Sequence, residues 1–340
     1  MLVVAIDVMS GDLSAHERIA GAVRALRADA ELGALLVGAR ESIETALRGL
    51  PEALQQRIEV VPAAQVIRMD EAPRSAVRRG RESSMRIAVN LVREGRAAAC
   101  ISAGNTGALT AIAHFVLKTV GQVERAALMA ALPSVSGQTQ MLDLGANTRA
   151  TPLQLAQFAR MGAIVARDVH ALEYPRVGLL NVGEEEGKGH EAVQAAHALI
   201  AREAAEQRLP LRYVGFIEGD DIFSGEVDVV VTDGFTGNVA LKAMEGLAQL
   251  IGERVRREFA ASLRDRLAGL LAAPVLRRLA AGLDPRRHNG ACMVGLRGIV
   301  VKSHGSAGAL AFARAIEFAA QAARAGLTAH MAQAFEAQGC

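Results

Sequence analysis

Residues Ala97–Leu117 read AAACISAGNTGALTAIAHFVL. The run Ala97–Ile101 is short and wholly apolar, as a strand covered on both faces must be. SAGNTG (Ser102–Gly107) follows, with two glycines and an asparagine, the residues of a tight turn. Ala108–Leu117 then continues apolar for too long to be another strand and reads as a helix. A buried strand, a glycine turn and a helix in immediate succession make the first half of a parallel crossover unit.

The same rhythm extends in both directions. On the amino-terminal side, Leu2–Ile6, Ala34–Val37 and Ile58–Val61 read as strands, and Ala15–Arg27, Glu41–Arg48 and Ser83–Arg93 as helices, with a basic loop from Arg74 to Arg81. On the carboxyl side, Ala126–Leu132 and Thr139–Leu144 form a plausible hairpin around SVSGQ. Helix Leu153–Arg167, strand Val177–Val182, helix Glu191–Glu206, strands Leu211–Ile217 and Val227–Thr232 and a long helix from Gly237 come next. Strand Ile299–Lys302 and a last long helix from Ala307 complete the chain. Strands alternating with helices predict an α/β protein, a three-layer α/β/α body around a large mixed, mostly parallel sheet. No internal repeat, low-complexity segment or clear linker divides the 340 residues, so residues 1–340 are expected to act as one domain.

One segment breaks the rhythm. From Glu253 to Leu283, Val255, Phe259, Leu263, Leu267, Leu270 and Leu271 recur at helical spacing beside Arg264, Arg277 and Arg278, with Pro274 expected to interrupt. Residues 253–283 are therefore expected to form a protruding amphipathic helical hairpin. Its cationic, leucine-rich face suits an anionic membrane surface, and equally a dimer mate or a carrier protein; the basic faces also suit an acidic partner protein.

Composition narrows the function. Lys and Arg total 38 against 36 Asp and Glu, a net charge of +2, and aromatics are 3% with no Trp, so neither nucleic-acid electrostatics nor a base-stacking platform is expected. Cys100, Cys292 and Cys340 are too far apart for a disulfide framework or a metal knuckle, which suits the cytosol. No targeting or membrane-spanning segment is evident. Only Lys118, Lys188, Lys242 and Lys302 are lysines among the 38 basic residues. Lys188 and Lys302 sit in glycine-rich turns and Lys242 just after another, which suggests positions that need a compact ammonium.

Six polar, glycine-containing loops follow predicted strands: Asp7–Asp12, Ser102–Gly107, Asp143–Thr148, Gly183–Gly189, Asp233–Asn238 and Lys302–Ser306. In an open α/β sheet such loops are expected to meet on the rim at the carboxyl ends of the strands. Each alone is ordinary turn chemistry; six at strand ends are not. SAGNTG and DGFTGN run straight into helices, where backbone N–H groups and the helix terminus favour an anion. Walker A and G-x-G-x-x-G patterns are absent, as are a G-x-S-x-G elbow and metal-ligand spacings. Phosphate without a nucleotide, a cofactor or a metal is the expected ligand.

At these loops the sequence becomes recognisable. AIDVMSGD, SSMRIAVNLV, SAGNTGALTA, LDLGANT, GLLNVGEEEGKGHE, GEVDVVVTDGFTGNVALK and GIVVKSHGS resemble the bacterial phosphate acyltransferase family, in order and nearly end to end. The resemblance implies a fold like the isocitrate/isopropylmalate dehydrogenases and a homodimer. It implies conversion of acyl-acyl carrier protein and inorganic phosphate into acyl phosphate and free carrier, for a membrane glycerol-3-phosphate acyltransferase in phospholipid synthesis. It also implies peripheral contact with the inner face of the cell membrane through the hairpin at 253–283. Ser10-Gly11 stands where a Gly-Gly pair is common in the family.

Loop chemistry suggests roles for individual residues. Asn105, Thr106 and Gly107, with Gly104, would hold phosphate together with Lys188. Asn238 and the Gly237 amide would face the thioester oxygen, and His304 would orient phosphate or move a proton. Asn147, Glu184, Thr236, Lys302 and Ser306 complete the substrate loops, and Asp7, Asp143 and Asp233 brace them. Two rivals are a nicotinamide-dependent decarboxylating dehydrogenase on a similar fold and a non-catalytic carrier-protein adaptor. The first needs a nucleotide pocket that no motif supplies; the second needs the basic hairpin but not six polar loops.

Overall fold

In a computed structural model that describes residues 1–185, 187–206, 211–283 and 290–336, with side chains left undescribed for 277–283, eleven strands pair into one sheet. They are β1 (Leu2–Asp7), β2 (Leu32–Gly38), β3 (Ile58–Pro62), β4 (Ala99–Ser102), β5 (Ala127–Ser134), β6 (Gly137–Leu142), β7 (Arg176–Leu180), β8 (Arg212–Ile217), β9 (Val229–Val231), β10 (Ala291–Val294) and β11 (Ile299–Lys302). Their order across the sheet is β3-β2-β1-β4-β11-β10-β5-β6-β9-β7-β8. The helices are α1 (Ala15–Ala28), α2 (Arg40–Leu47), α3 (Glu52–Gln55), α4 (Pro73–Arg79), α5 (Ser84–Arg93), α6 (Thr106–Leu117), α7 (Pro152–His170), α8 (Glu191–Ala205), α9 (Asp221–Ser224), α10 (Gly234–Ala260), α11 (Leu263–Leu283), α12 (Ala309–Arg324) and α13 (Leu327–Glu336).

The sheet is buried on both sides. Along β1, Val4 and Ile6 face one apolar cluster and Ala5 the other, the alternation a strand imposes. The first cluster is filled by Ile19 and Leu26 of α1, Phe158 of α7 and Phe312 of α12. The second takes Met85 and Val89 of α5, Leu109 and Ile112 of α6, and the half-buried Ala240, Leu241 and Met244 of α10. The result is the α/β/α layering and mixed, mostly parallel sheet expected from the sequence.

Strand direction has a consequence for the loops. β3, β2, β1, β4 and β11 are mutually parallel, and so are β6, β9, β7 and β8. Between the two groups the direction reverses at β11/β10, β10/β5 and β5/β6. An odd number of reversals puts the carboxyl ends of the two groups on opposite rims. The expectation that all six loops share one rim is corrected here. The β5–β6 hairpin is the cause, because every strand beyond it follows β6. Sheet twist of roughly 20–25° per strand pair accumulates over the five steps from β4 to β9. The two rims are therefore swung far from the back-to-back arrangement of a flat sheet.

Several element boundaries differ from the sequence reading. Arg74–Arg81, expected as a loop, contains α4, started by Pro73 in the first helical turn. β10 was not anticipated; it is four residues long and pairs on both sides within the sheet. The helix expected from Gly237 starts at Gly234, where Asp233 caps it. Pro274 does not interrupt: α11 runs through it from Leu263 to Leu283. The turn of the hairpin lies at Ala261–Ser262, and its first arm is the 27-residue α10, about 40 Å long. The last helix divides at Gly326, φ +67°, into α12 and α13.

Candidate active site

The first loop cluster lies at the ends of β1, β4 and β11. Asp7 is fully buried; Oδ1 accepts from the amides of Met9 (3.2 Å) and Ser10 (3.3 Å), and Oδ2 accepts from Ser102 Oγ at 2.7 Å. Ser102 Oγ in turn accepts from the Gly104 amide at 3.2 Å. Asp7 thus ties two loops together. Arg18, a fully buried side chain of α1, ties in the third. Its guanidinium donates to the carbonyls of Ser10 (3.4 Å), Gly305 (2.5 Å) and Ala307, and stacks 5.1 Å from the Phe312 ring centroid. Burial works against its charge, and Asp7, Asp12 and Glu17 offset that.

Lys302 ends β11 in this cluster. It is 8% exposed, donates to the Ser303 carbonyl, and its pKa falls from 10.5 to about 8. Burial is the main cause, aided by the charges of Arg18 and Lys242 and opposed by Asp12. His304 follows. Its Nδ1 accepts from the Ser306 amide (3.2 Å) and lies 2.8 Å from Ser306 Oγ, which puts the ring proton on Nε2. Burial lowers its pKa, so the ring is neutral at pH 7. Asn105 is the N-cap of α6: Oδ1 accepts from the Ala108 amide at 2.9 Å, and Nδ2 donates to the carbonyls of Met69 (2.6 Å) and Glu71 (3.3 Å). The Asn105 amide is committed to structure, so the expected phosphate contact from its side chain is corrected. Thr106 and Gly107 keep their place in the first turn of α6. Ser10 Oγ is buried without a hydrogen-bond partner among the described residues.

The second cluster joins the loops after β6 and β9. Asp143 is fully buried and accepts from five donors: the amides of Leu128 (2.9 Å), Gly145 (3.2 Å), Ala146 (3.0 Å) and Asn147 (2.6 Å), and Asn147 Nδ2 (2.9 Å). Burial raises its pKa and these donors pull it back. Asn147 Nδ2 also donates to the Ala126 carbonyl at 2.8 Å, so its amide is spent on bracing rather than on a substrate. Asp233 accepts from the Thr236 amide (2.9 Å) and Thr236 Oγ1 (3.1 Å). The Gly237 amide donates to the Asp233 carbonyl at 2.9 Å, so the expected oxyanion role of that amide is corrected too. Gly237 is needed for close approach instead: a Cβ there would lie 2.0 Å from the Asp143 carbonyl oxygen. Asn238 is exposed and lies against Gly145.

Lys188 belongs to neither cluster. Its loop follows β7, on the rim shared by the second cluster, and its ammonium pairs with Glu185 at 2.6 Å, side chains 49% and 66% exposed. Hydrogen bonding to Glu185 raises its pKa. The expected joint grip on phosphate by Lys188 and the SAGNTG loop thus joins loops from strands of opposite direction, with the Lys188 ammonium engaged by Glu185. Glu184 is exposed in the same loop. Among the described residues, no group of three or more His, Cys, Asp or Glu side chains is arranged to hold a metal ion. The thiols of Cys100 and Cys292 are fully buried; burial pushes Cys100 well up and Cys292 up to about 12, so neither is a nucleophile at neutral pH.

What links the two clusters is one face of α10. Gly234 donates to the Asn147 carbonyl at 2.8 Å, which seats the helix start in the second cluster. Asn238, Lys242 and Glu245 follow at spacings of four and three and so share a stripe. Lys242 pairs with Glu245 at 2.6 Å, and both charges act on His304, as Lys242 does on Lys302. Gly234 to Glu245 is about 16 Å of helix. The stripe has Asn238 at one end and, through Lys242 and Glu245, reaches Lys302 and His304 at the other. Lys242 was noted in the sequence for being a rare lysine but not assigned to the site.

Comparison with known proteins identifies the family. A family model described as fatty acid synthesis protein matches residues 2–330. A relative from Methylococcus capsulatus named phosphate acyltransferase is 48% identical over 319 residues, 94% of this chain and 92% of that protein. The chain belongs to the phosphate acyltransferase family. It is accordingly an enzyme, an acyltransferase of fatty acid synthesis, which displaces both the dehydrogenase and the adaptor rivals. A phosphotransacetylase from Streptococcus pyogenes shares its fold, with a TM-score of 0.63 at 17% identity over 95% of this chain and 94% of that one. So does a putative 4-hydroxythreonine-4-phosphate dehydrogenase from Salmonella typhimurium, with a TM-score of 0.54 at 16% identity over 94% and 99%. At such identities the likeness is one of fold alone.

The hairpin of this phosphate acyltransferase family member presents apolar side chains to solvent. Leu263, Leu267, Leu270 and Leu271 of α11 are 84%, 61%, 72% and 78% exposed, and Arg264 is exposed beside them. Gly269 packs on Phe259 of α10, so the two arms touch. The side chains of Arg277 and Arg278 lie outside the described residues. No helix among the described residues is long and apolar enough to cross a membrane.

Proposed function

We propose that the chain transfers the acyl group of acyl-acyl carrier protein to inorganic phosphate, releasing acyl phosphate and free carrier for phospholipid synthesis. The observation that carries this reading is the α10 stripe, which joins a buried cationic end, with Lys302 and Arg18, to a neutral amide end at Asn238. Phosphate binds at the first end, against Lys302, Lys242, His304, Ser306 and the first-turn amides of Thr106 and Gly107. The thioester carbonyl lies toward Asn238, whose side-chain N–H donates to the oxygen as it gains charge.

The step needs little proton transfer. Phosphate dianion is already nucleophilic near pH 7 and a thiolate leaves readily. A phosphate oxygen attacks the carbonyl carbon, forming a C–O bond and a tetrahedral intermediate. Collapse breaks the C–S bond, and the thiolate departs with the electron pair and takes a proton from solvent. Holding both reactants together is the main catalytic contribution. Neutral His304 orients phosphate through Nε2–H. Lys188 and Glu184 border the thioester end, one strand beyond β9.

The whole chain, residues 1–340, works as one unit, as a cytoplasmic homodimer. The exposed leucines of α11, with Arg264, rest on the anionic inner face of the membrane and deliver acyl phosphate to a glycerol-3-phosphate acyltransferase there. The test is direct. Palmitoyl-loaded carrier protein, phosphate and enzyme should yield an acyl phosphate that hydroxylamine traps, with one free carrier thiol per trapped acyl group. Thiol release without phosphate dependence would refute the reading.

A further inference from the structure

Outside the candidate site, a run of arginines stands on α4 and the turn after it. Residues 73–86 carry Arg74, Arg78, Arg79, Arg81 and Arg86 against one acid, Glu82. Arg74, Arg78, Arg79 and Arg81 are exposed and make no ion pair among the described residues. Six other surface arginines, Arg40, Arg68, Arg96, Arg257, Arg314 and Arg324, each have a carboxylate partner, while Arg254, Arg256, Arg264 and Arg266 of the hairpin have none among the described residues. Arg86, on α5, is more deeply set. It stacks 5.0 Å from the exposed Phe115 ring, its Nε and Nη1 are buried with no acceptor, and its charged neighbours are Arg93 and Arg81. Mutually repelling, unpaired cations destabilise a lone surface and suit a partner that supplies carboxylates.

The patch adjoins the first loop cluster. Pro73, the first residue of α4, lies against Gly107 in the first turn of α6: a Cβ on that glycine would sit 3.0 Å from Pro73 Cγ. Asn105 fixes the loop leading into α4 through the Met69 and Glu71 carbonyls. A protein bound on α4 therefore sits beside the phosphate end of the site, where a flexible arm can enter. The hairpin, by contrast, mixes exposed leucines with its arginines. α4 presents charge with little apolar area, which suits a water-soluble acidic surface better than a membrane.

We propose that the α4 arginines, with Arg86 at their base, are the docking surface for the acidic carrier protein that brings the acyl thioester. This rests on the carrier-protein reading above and adds the place of contact. The test compares wild type with Arg78→Glu/Arg79→Glu, and with Arg78→Gln/Arg79→Gln as a milder pair. Three readouts are needed: palmitoyl-carrier protein kinetics, palmitoyl-pantetheine thioester kinetics, and sedimentation with phosphatidylglycerol/phosphatidylethanolamine vesicles. The expected result is a KM for loaded carrier raised at least tenfold by the charge reversal and less by the glutamines. kcat should stay within twofold, and pantetheine turnover and vesicle binding should be unchanged. Salt should raise the wild-type carrier KM more steeply than the variant's. An unchanged carrier KM would overturn the proposal. So would equal losses with both thioesters, or loss of vesicle binding with carrier KM retained. If wild type turns over the pantetheine thioester but never loaded carrier, the carrier reading itself falls and the docking site with it.

Discussion

Replacing Lys302 with methionine should make the protein more stable and the enzyme worse. The ammonium is buried, and burial together with the charges of Arg18 and Lys242 lowers its pKa to about 8 from an ordinary 10.5. At about 1.4 kcal/mol per pKa unit, that is roughly 3 kcal/mol against the charged form. Because the folded value is the lower one, the unfolded chain holds the proton more tightly. The cost is therefore complete below pH about 8, shrinks as pH rises, and vanishes near the unfolded value of 10.5. Methionine keeps the length without the charge; after about 1 kcal/mol for the lost hydrogen bond to the Ser303 carbonyl, about 2 kcal/mol remains. With unfolding entropy near 2.1 cal/mol/K per residue over 340 residues, this raises Tm by about 3 °C at pH 7. By pH 10 the advantage should have largely gone. Phosphate, by contrast, needs the ammonium: its KM should rise at least tenfold in Lys302→Met, and in wild type it should climb above pH about 8. Thermal melts at pH 7 and 10, paired with phosphate titrations, read both effects. A destabilised variant at pH 7, or one with unaltered phosphate KM, would refute the assignment of a buried cation to the anion end of the site.

Asn238→Ala should lower kcat about 100-fold, the cost of one oxyanion donor, with phosphate KM within threefold; a KM effect alone would move Asn238 out of that role. Asp143→Ala strands five donors in the interior and should cost more than about 3 kcal/mol, seen as a large loss of soluble protein or a Tm lower by several degrees. Leu267→Glu/Leu270→Glu/Leu271→Glu should abolish sedimentation with anionic vesicles while soluble thioester turnover persists; retained vesicle binding would remove the hairpin from the membrane.

Most of the sheet was legible because its strands are continuous apolar runs and their loops carry glycine at the ends. β10 was not, since ACMV is too short to show a period and only its neighbours β11 and β5 make it a strand. The basic loop at Arg74–Arg81 became α4 because packing against α6 decides what propensity leaves open. For the site, the loops were visible but their grouping was not. Strand direction beyond the β5–β6 hairpin is a property of pairing, which no single loop records. Asn105, Asn147, Thr236 and Gly237 have the chemistry of ligands, yet backbone carbonyls nearby, and the Asp233 carboxylate for Thr236, consume their donors. Arg18 left no signal at all: an arginine at helical spacing reads as surface until the carbonyls of Ser10, Gly305 and Ala307 close around it. Lys242 did leave one, in a chain that otherwise prefers arginine.

The measurement that bears most directly on the proposed site is the location of arsenate, a phosphate mimic visible by anomalous scattering, in crystals of the protein. The arsenic should lie beside Lys302 and Lys242, with oxygens within about 3.2 Å of a lysine nitrogen, and on the same stripe as Asn238. A peak at the Glu185–Lys188 pair, with none along α10, would contradict the account.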